Sequence, residues 1–350
     1  MSLILTTLMS ICFVAGKSGG HLIPCTTKAE QLLEQNQTVC LFSSGSELDE
    51  QILSKHPKIK HLCPITLDDV PQKWWNYPKF LCKIGYYFFS CLYHLYQIKP
   101  VKVISFGGLV SVPVCSAAQC LKIPVELHEL NVEPGKAINF IARFNPEVHV
   151  YFSETARYFP KHRVVFAEYP IRFTEQDKIL DRKQLYEKFT LDPNKKTILV
   201  LGGSQGSISL NKLIKEFVIQ NPEIKNSLQI IHQTGIQDPE NYATFYKKYG
   251  IDSFVCSFYS ELEDFYNLAD LLISRAGSGT IFEARFFKVP TIIIPHETTY
   301  TRHQILNAES MMHTYPEQFF MIREQNCSAQ VLSQAIKKGL SIEKGPQKTL

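Results

Sequence analysis

A chain of 350 residues, 45% hydrophobic and 20% charged, has the make-up of a soluble globular protein with room for two cored domains. Its formal charge of +4 is too small to argue for nucleic acid, and it suits an anionic substrate or a membrane surface. Ten cysteines stand singly without a C-x-x-C pair, which argues against a disulfide framework and for reduced thiols packed as small apolar residues in a cytosolic protein. No uninterrupted apolar run reaches the ~20 residues needed to cross a bilayer.

In chain order, the apolar stretch ending in "ICFVAG" lacks the preceding Lys or Arg of a signal peptide. It runs straight into a glycine-rich turn and a helical pattern, as a first buried strand does. Short apolar strands follow at "TVCLF", "VKVISF", "PVELH" and "VHVYF", with helical patterns at Leu22 to Gln35 and Ser111 to Leu121. A strand from Val164 to Ala167 is interrupted by Pro170, and a polar helical pattern opens near Thr174. A second series then runs through "KTILVLGG", "LQIIHQTG", "FVCSF", "DLLIS" and "PTIIIP", with helical patterns at Asn211 to Ile219 and Glu261 to Leu268. Strands alternating with helices predict an α/β chain of two doubly wound parallel sheets, with a cleft between the facing strand ends. The expected boundaries are residues 1–167, a hinge at 168–173, a second domain at 174–340 and a loose tail at 341–350. The last helix packs either on its own domain or back on the first.

Four glycine clusters, "AGKSGGH", "SFGGLVS", "VLGGSQGS" and "SRAGSGT", each follow a strand and precede a helical pattern. Glycine permits positive φ and close backbone approach, and a helix N-terminus adds partial positive charge. One such loop reads equally as a tight turn, but four of them fit a phosphate-bearing ligand. "GKSGGH" lacks the spacing of a Walker A loop and of a G-x-G-x-x-G fingerprint. It presents His21, which reads either as a capping residue or as an imidazole able to take a proton from an attacking hydroxyl. Residues 74 to 99, "WWNYPKFLCKIGYYFFSCLYHLYQIK", form an aromatic stripe with both tryptophans of the chain. They read either as a buried helix or as one that rests on a bilayer, rings at headgroup level and lysines on anionic lipid.

The ordered motifs "GKSGGHLIP", "FGGLVSVP", "HELNVEPGKAIN", "YPIR", "LGGSQGSISLN", "HQTG", "SRAGSGTIFE" and "HQILNA" resemble the MurG family of UDP-N-acetylglucosamine transferases, GT-B enzymes of glycosyltransferase family 28. The resemblance runs from about Ile11 to about Leu340. It implies an inverting transfer of N-acetylglucosamine from UDP-GlcNAc to a polyprenyl-pyrophosphate-linked acceptor, lipid I, giving lipid II. It also implies no cofactor, no bound metal, no nucleic-acid partner and a peripheral position on the cytoplasmic face of the bacterial plasma membrane. The sequence likewise offers no H-x-x-H, Asp-x-Asp or spaced cysteine cluster.

Carried onto this chain, the resemblance names His21, Glu129 and Asn131 as catalytic candidates. Ser18, Gly19, Gly20, Asn131 and Arg172 would face the donor from the first half. Gly203, Ser204, Gln205 and Gly206 would hold its pyrophosphate, with Ala276, Gly277, Ser278, Gly279 and Thr280 beside it. Glu283 would take the ribose diol, Gln304 the sugar hydroxyls, and Phe258 and Tyr259 would flank the uracil, although aromatics there read equally as core. Gly107 and Gly108, with Trp74, Trp75 and Phe80, would meet the acceptor and the membrane. Departures from the family pattern are Lys17, Leu130, and Thr301 with Arg302 before the His-Gln pair. The competing readings are a transferase for another lipid acceptor, or a non-catalytic homologue that binds a nucleotide sugar.

Overall fold

The computed structural model describes residues 10–16, 18–179, 181–203, 205–298 and 301–342. Lys17, Ser204 and residues 343–350 of the tail therefore lie outside the described residues. The chain divides into two compact units, Met1–Arg172 and Phe173–Leu350.

In the first unit the strands are β1 (Ser10–Val14), β2 (Thr38–Phe42), β3 (Lys60–His61), β4 (Lys102–Ser105), β5 (Val125–Glu129), β6 (Glu147–Val150) and β7 (Val164–Phe166). The helices are α1 (Gly19–Glu34), α2 (Glu47–Leu53), α3 (Tyr77–Ile98), α4 (Ser111–Cys120) and α5 (Lys136–Ile141). The strands are rich in Val, Ile and Phe, and β1 and β2 are buried along four of their five residues. Burial on both faces is what a parallel sheet under helices requires. Among the described residues the sheet is parallel throughout, in the order β3-β2-β1-β4-β5-β6-β7.

The second unit repeats the scheme with β8 (Lys196–Leu201), β9 (Leu228–Gln233), β10 (Ser253–Cys256), β11 (Leu271–Ser274), β12 (Thr291–Ile293) and β13 (Phe319–Met321). Its helices are α6 (Lys183–Phe189), α7 (Ile208–Gln220), α8 (Tyr242–Lys248), α9 (Leu262–Leu268), α10 (Ser278–Phe286), α11 (Arg302–Thr314) and α12 (Ala329–Leu340). The parallel order is β10-β9-β8-β11-β12-β13. Leu332 and Ile336 of α12 join the second unit's own core with Leu210 and Ile214 of α7, so α12 belongs with its own domain.

In both sheets the order reverses beside the first strand, between β1 and β4 and between β8 and β11. Loops diverge at such a switch point, and the crevice outside the strand ends receives ligands. Glycine is obligatory at the first one. A Cβ on Gly108, whose φ is +81°, would lie 2.4 Å from the Gly16 Cα, so the loops after β1 and β4 touch backbone to backbone.

The aromatic stripe is a 3₁₀ turn, Trp74–Asn76, leading into the 22-residue α3. Cys91 and Leu95 enter the core, with Tyr87, Phe88 and Leu92 packed beside them. The opposite side leaves Leu81, Tyr86, Phe89, Tyr93 and Tyr96 exposed, and Trp74 is 78% exposed. The helix is thus core on one side and carries an exposed aromatic face on the other. Phe80 is a correction: at 8% exposure it faces inward, not toward a membrane. The cysteines also divide. Cys12, Cys25, Cys40, Cys91 and Cys115 are buried, as apolar packing predicts, whereas Cys82 and Cys120 are exposed. Among the described residues no helix is long and apolar enough to cross a membrane.

Candidate active site

At the switch point of the first sheet lies a pocket of about 250 Å³, lined by His21, Gly107, Gly108, Glu129, Asn131 and Lys136 among others. His21 stands in the first turn of α1. Its Nδ1 lies 2.9 Å from the hydroxyl of Ser18, the residue that caps the helix. A side chain on Gly16 would come within 3.4 Å of that Nδ1, and one on Gly107 within 4.0 Å of Nε2. The glycines around the loop therefore make room for the imidazole. When Nδ1–H donates to Ser18 Oγ, Nε2 carries the lone pair a base requires.

Glu129 ends β5 and is buried. Its Oε1 accepts the backbone N–H of Asn131 at 2.8 Å and the Asn131 amide at 3.3 Å, and its Oε2 accepts the Gly135 N–H at 3.0 Å. Burial pushes its carboxyl up to about 7, against the pull of these hydrogen bonds. Glu129 thus folds the loop "LNVEPG" around itself and still borders the pocket. Leu130 is buried at 2% exposure, so it serves packing there.

In the second unit the loop after β8 carries Gly203, Gln205 and Gly206 into α7. Gly206, with φ +80°, packs on Gly235: a Cβ there would lie 2.5 Å from the Gly235 Cα. The motif "HQTG" explains itself structurally. Buried His232 bonds Tyr246 and Asn211 at 2.8 and 3.0 Å, and burial drives its imidazole down to about 3. Gln233 reaches the Gly203 carbonyl at 3.5 Å and accepts the Tyr259 N–H at 3.0 Å, tying the glycine loop to the Phe258–Tyr259 turn.

Arg275, just after β11, escaped the sequence reading although "SRAGSGT" contains it. It is buried, and it donates to Ser207 Oγ at 3.0 and 2.9 Å, to the Ile294 carbonyl at 3.0 Å and to Glu324 at 2.6 Å. One guanidinium therefore joins the loops that leave β8, β12 and β13. Its planar fork of donors suits that task. Asn307, from "HQILNA", holds the Ala276 carbonyl at 3.3 Å. Helix α10 starts at Ser278 with Gly277 as its cap. The first N–H groups of a helix have no partner inside it, and those of Ser278, Gly279 and Thr280 stand at the positive end of the helix dipole.

Glu283 lies one turn further on and is buried, its Oε2 accepting the Tyr266 hydroxyl at 2.9 Å. Gln304 accepts the His296 N–H on its Oε1 at 2.9 Å, which leaves the amide as its donor end. Thr301 turns inward to donate to the His296 carbonyl at 2.6 Å. Phe258 is 50% exposed, so the core reading of it fails. The Tyr259 ring instead stacks on Phe265 at 4.4 Å, and its hydroxyl donates to Asp264 at 2.9 Å. Arg172, the last residue of the first unit, is half-buried.

Residues 11–150 match the glycosyltransferase family 28 N-terminal domain, and residues 197–349 match its C-terminal domain. The chain belongs to glycosyltransferase family 28. Among relatives, it is 30% identical over 333 residues to a UDP-N-acetylglucosamine–N-acetylmuramyl-(pentapeptide) pyrophosphoryl-undecaprenol N-acetylglucosamine transferase of Geobacter sulfurreducens, covering 94% of this chain and 89% of that protein. The crystal structure of Acinetobacter baumannii MurG shares the fold at a TM-score of 0.70 and 24% identity, over 96% of this chain and 91% of that one. Arabidopsis thaliana UGT89C1, complexed with UDP-L-rhamnose, does so at 0.69 and 11%, over 96% and 91%. Two Rossmann-like α/β domains of the GT-B type are thus the family 28 architecture of this chain. In family 28 terms, the pocket at His21 lies in the N-terminal domain, and the loops around Arg275 and Glu283 in the C-terminal domain.

Proposed function

We propose that this protein transfers N-acetylglucosamine from UDP-N-acetylglucosamine to the N-acetylmuramyl sugar of an undecaprenyl-pyrophosphate-linked pentapeptide, releasing UDP. The observation that carries the reading is the relative named for this reaction, which matches over nearly the whole of both domains. The second domain takes the donor. Glu283 accepts the ribose hydroxyls, since a carboxylate offers two oxygens to a vicinal diol. The N-termini of α7 and α10 face the pyrophosphate with Arg172 and stabilise the negative charge that grows on leaving UDP. Gln304 donates to a sugar hydroxyl, and exposed Phe258 covers one face of the uracil.

The first domain takes the acceptor. The backbone at Gly107 and Gly108 admits its pyrophosphate, and His21 Nε2 accepts the proton of the attacking hydroxyl, with Glu129 and Asn131 shaping the pocket. Direct displacement at the anomeric carbon inverts it. Release of UDP from UDP-GlcNAc in the presence of a lipid I analogue tests the reading.

The polyprenyl chain of such an acceptor stays in the bilayer, so the protein sits peripherally on the cytoplasmic face. Val70 lines the acceptor pocket, and exposed Trp74 and Trp75 follow close behind it in the chain. Lys73 lies over the Trp75 ring at 5.3 Å and Lys99 over Tyr96 at 6.0 Å, the mixture of rings and cations that settles at headgroups. A Trp74→Glu/Phe89→Glu variant is expected to lose binding to vesicles containing anionic lipid while its far-UV spectrum stays unchanged. Added salt weakens the parent's binding by screening the lysines. Equal sedimentation of parent and folded variant with the vesicles rules out this surface.

A further inference from the structure

Strands β5 and β6 each carry the pattern E-x-H, as Glu126-Leu127-His128 and Glu147-Val148-His149. The two strands are parallel neighbours, and their register pairs Glu126 with Glu147 and His128 with His149. Side chains alternate along a strand, so the four polar residues form a square on one face of the sheet. Leu127 and Val148 point the other way, into the core.

Three corners of the square converge, and the fourth, Glu147, reaches His149. Glu126 Oε1 lies 2.7 Å from His128 Nε2 and 3.6 Å from His149 Nε2, and Glu147 Oε1 lies 2.9 Å from His149 Nε2. One ligand atom from each of Glu126, His128 and His149 falls within 4.8 Å of the others. Tetrahedral zinc with bonds of about 2.0–2.1 Å needs its ligand atoms about 3.3 Å apart. The His128 and His149 rings are stacked at 4.6 Å, so the exposed-side His149 ring must turn out of the stack to bring its Nε2 onto the same ion. The outer contacts also fit. Glu126 Oε2 is held by Lys102 at 2.6 Å and Glu147 Oε2 by Arg163 at 3.0 Å, which turns both Oε1 atoms inward. His128 Nδ1 bonds the Tyr151 hydroxyl, the kind of outer partner that fixes a ligating imidazole with Nε2 toward the metal.

We infer that these two strands form a divalent transition-metal site, with Glu126, His128 and His149 as ligands and Glu147 as the fourth. Zn²⁺ suits the borderline nitrogen and carboxylate donor set. Each imidazole binds as its Nδ1–H tautomer, and His128 then donates that proton to the Tyr151 oxygen. Lys102 and Arg163 oppose a dication and hold the affinity below that of an all-anionic cage. The site takes no part in transfer. Its ring neighbour Phe106, stacked on His128 at 4.5 Å, lines the acceptor pocket, so the metal clips β5 to β6 behind the pocket wall.

The test uses full-length protein, stripped with chelator, titrated with ZnCl₂ and desalted. One Zn²⁺ per chain is expected by elemental analysis, with a tenfold or greater loss of affinity in both His149→Ala and Glu147→Gln. Circular dichroism checks that each variant is folded, and two variants guard against one failing to fold. Co²⁺ in the same site should give tetrahedral visible bands without a thiolate charge-transfer band. No zinc retained by the parent, equal retention by both folded variants, or a thiolate band from the free cysteines each overturns the site.

Discussion

Replacing His21 by alanine is expected to lower kcat by roughly 10²–10⁴-fold at saturating donor and acceptor, the usual worth of general-base help. The geometry behind this is local. The imidazole projects from the first turn of α1 into the pocket beside Gly107 and Gly108, with Nδ1 on Ser18 and Nε2 toward Gly107. A Ser18→Ala variant should reproduce part of the loss, because it frees the ring to turn and no longer selects the tautomer with Nε2 as acceptor. For His21→Ala the loss should fall on kcat, with donor KM little changed, since the proposed ribose and uracil contacts lie in the other domain. A folded His21→Ala protein with nearly unchanged kcat would leave the histidine structural and pass the base role to Glu129 or to water.

Removing the carboxylate of Glu283 should act on donor affinity. Two charge-assisted hydrogen bonds to a ribose diol are worth roughly 1.5–3 kcal/mol each. Loss of even one raises Kd about tenfold to a hundredfold. Glu283→Ala also leaves the buried Tyr266 hydroxyl without this acceptor, so stability falls too. Glu283→Gln separates the two effects: it keeps an acceptor for Tyr266 and removes the charge. Calorimetry of UDP binding is expected to show weakened affinity in both variants, with the larger loss of melting temperature confined to the alanine. Unchanged UDP affinity in either folded variant removes Glu283 from the donor site.

The strand runs were legible because parallel strands buried on both faces are continuous apolar runs, and "TVCLF" became β2 to the residue. The missed strands lack that signal. Lys60–His61 is a two-residue exposed edge, and Phe319–Met321 is too short to show a period. The pocket residues were legible as motifs, since the glycines and His21 follow strand ends and Glu129 closes β5. Their partners were not. Arg275 joins loops that are far apart in the chain, and Asn307 reaches back 31 residues to Ala276. The E-x-H square was invisible to a search for ligand spacing along one segment, because it exists only through the pairing of β5 with β6. Phe80 was misplaced because an aromatic helix gives no apolar period sharp enough to tell its inner side from its outer one.

The central claim is that both domains together transfer N-acetylglucosamine to a lipid-linked muramyl sugar. The most direct measurement is UDP release by purified protein given UDP-GlcNAc, with and without a lipid I analogue, and with mass analysis of the lipid product. Acceptor-dependent UDP release is expected, at a rate matching the appearance of one N-acetylhexosamine on the acceptor. Tight UDP-GlcNAc binding with no turnover, or equal turnover on a glycolipid lacking the pyrophosphoryl-muramyl group, would contradict it.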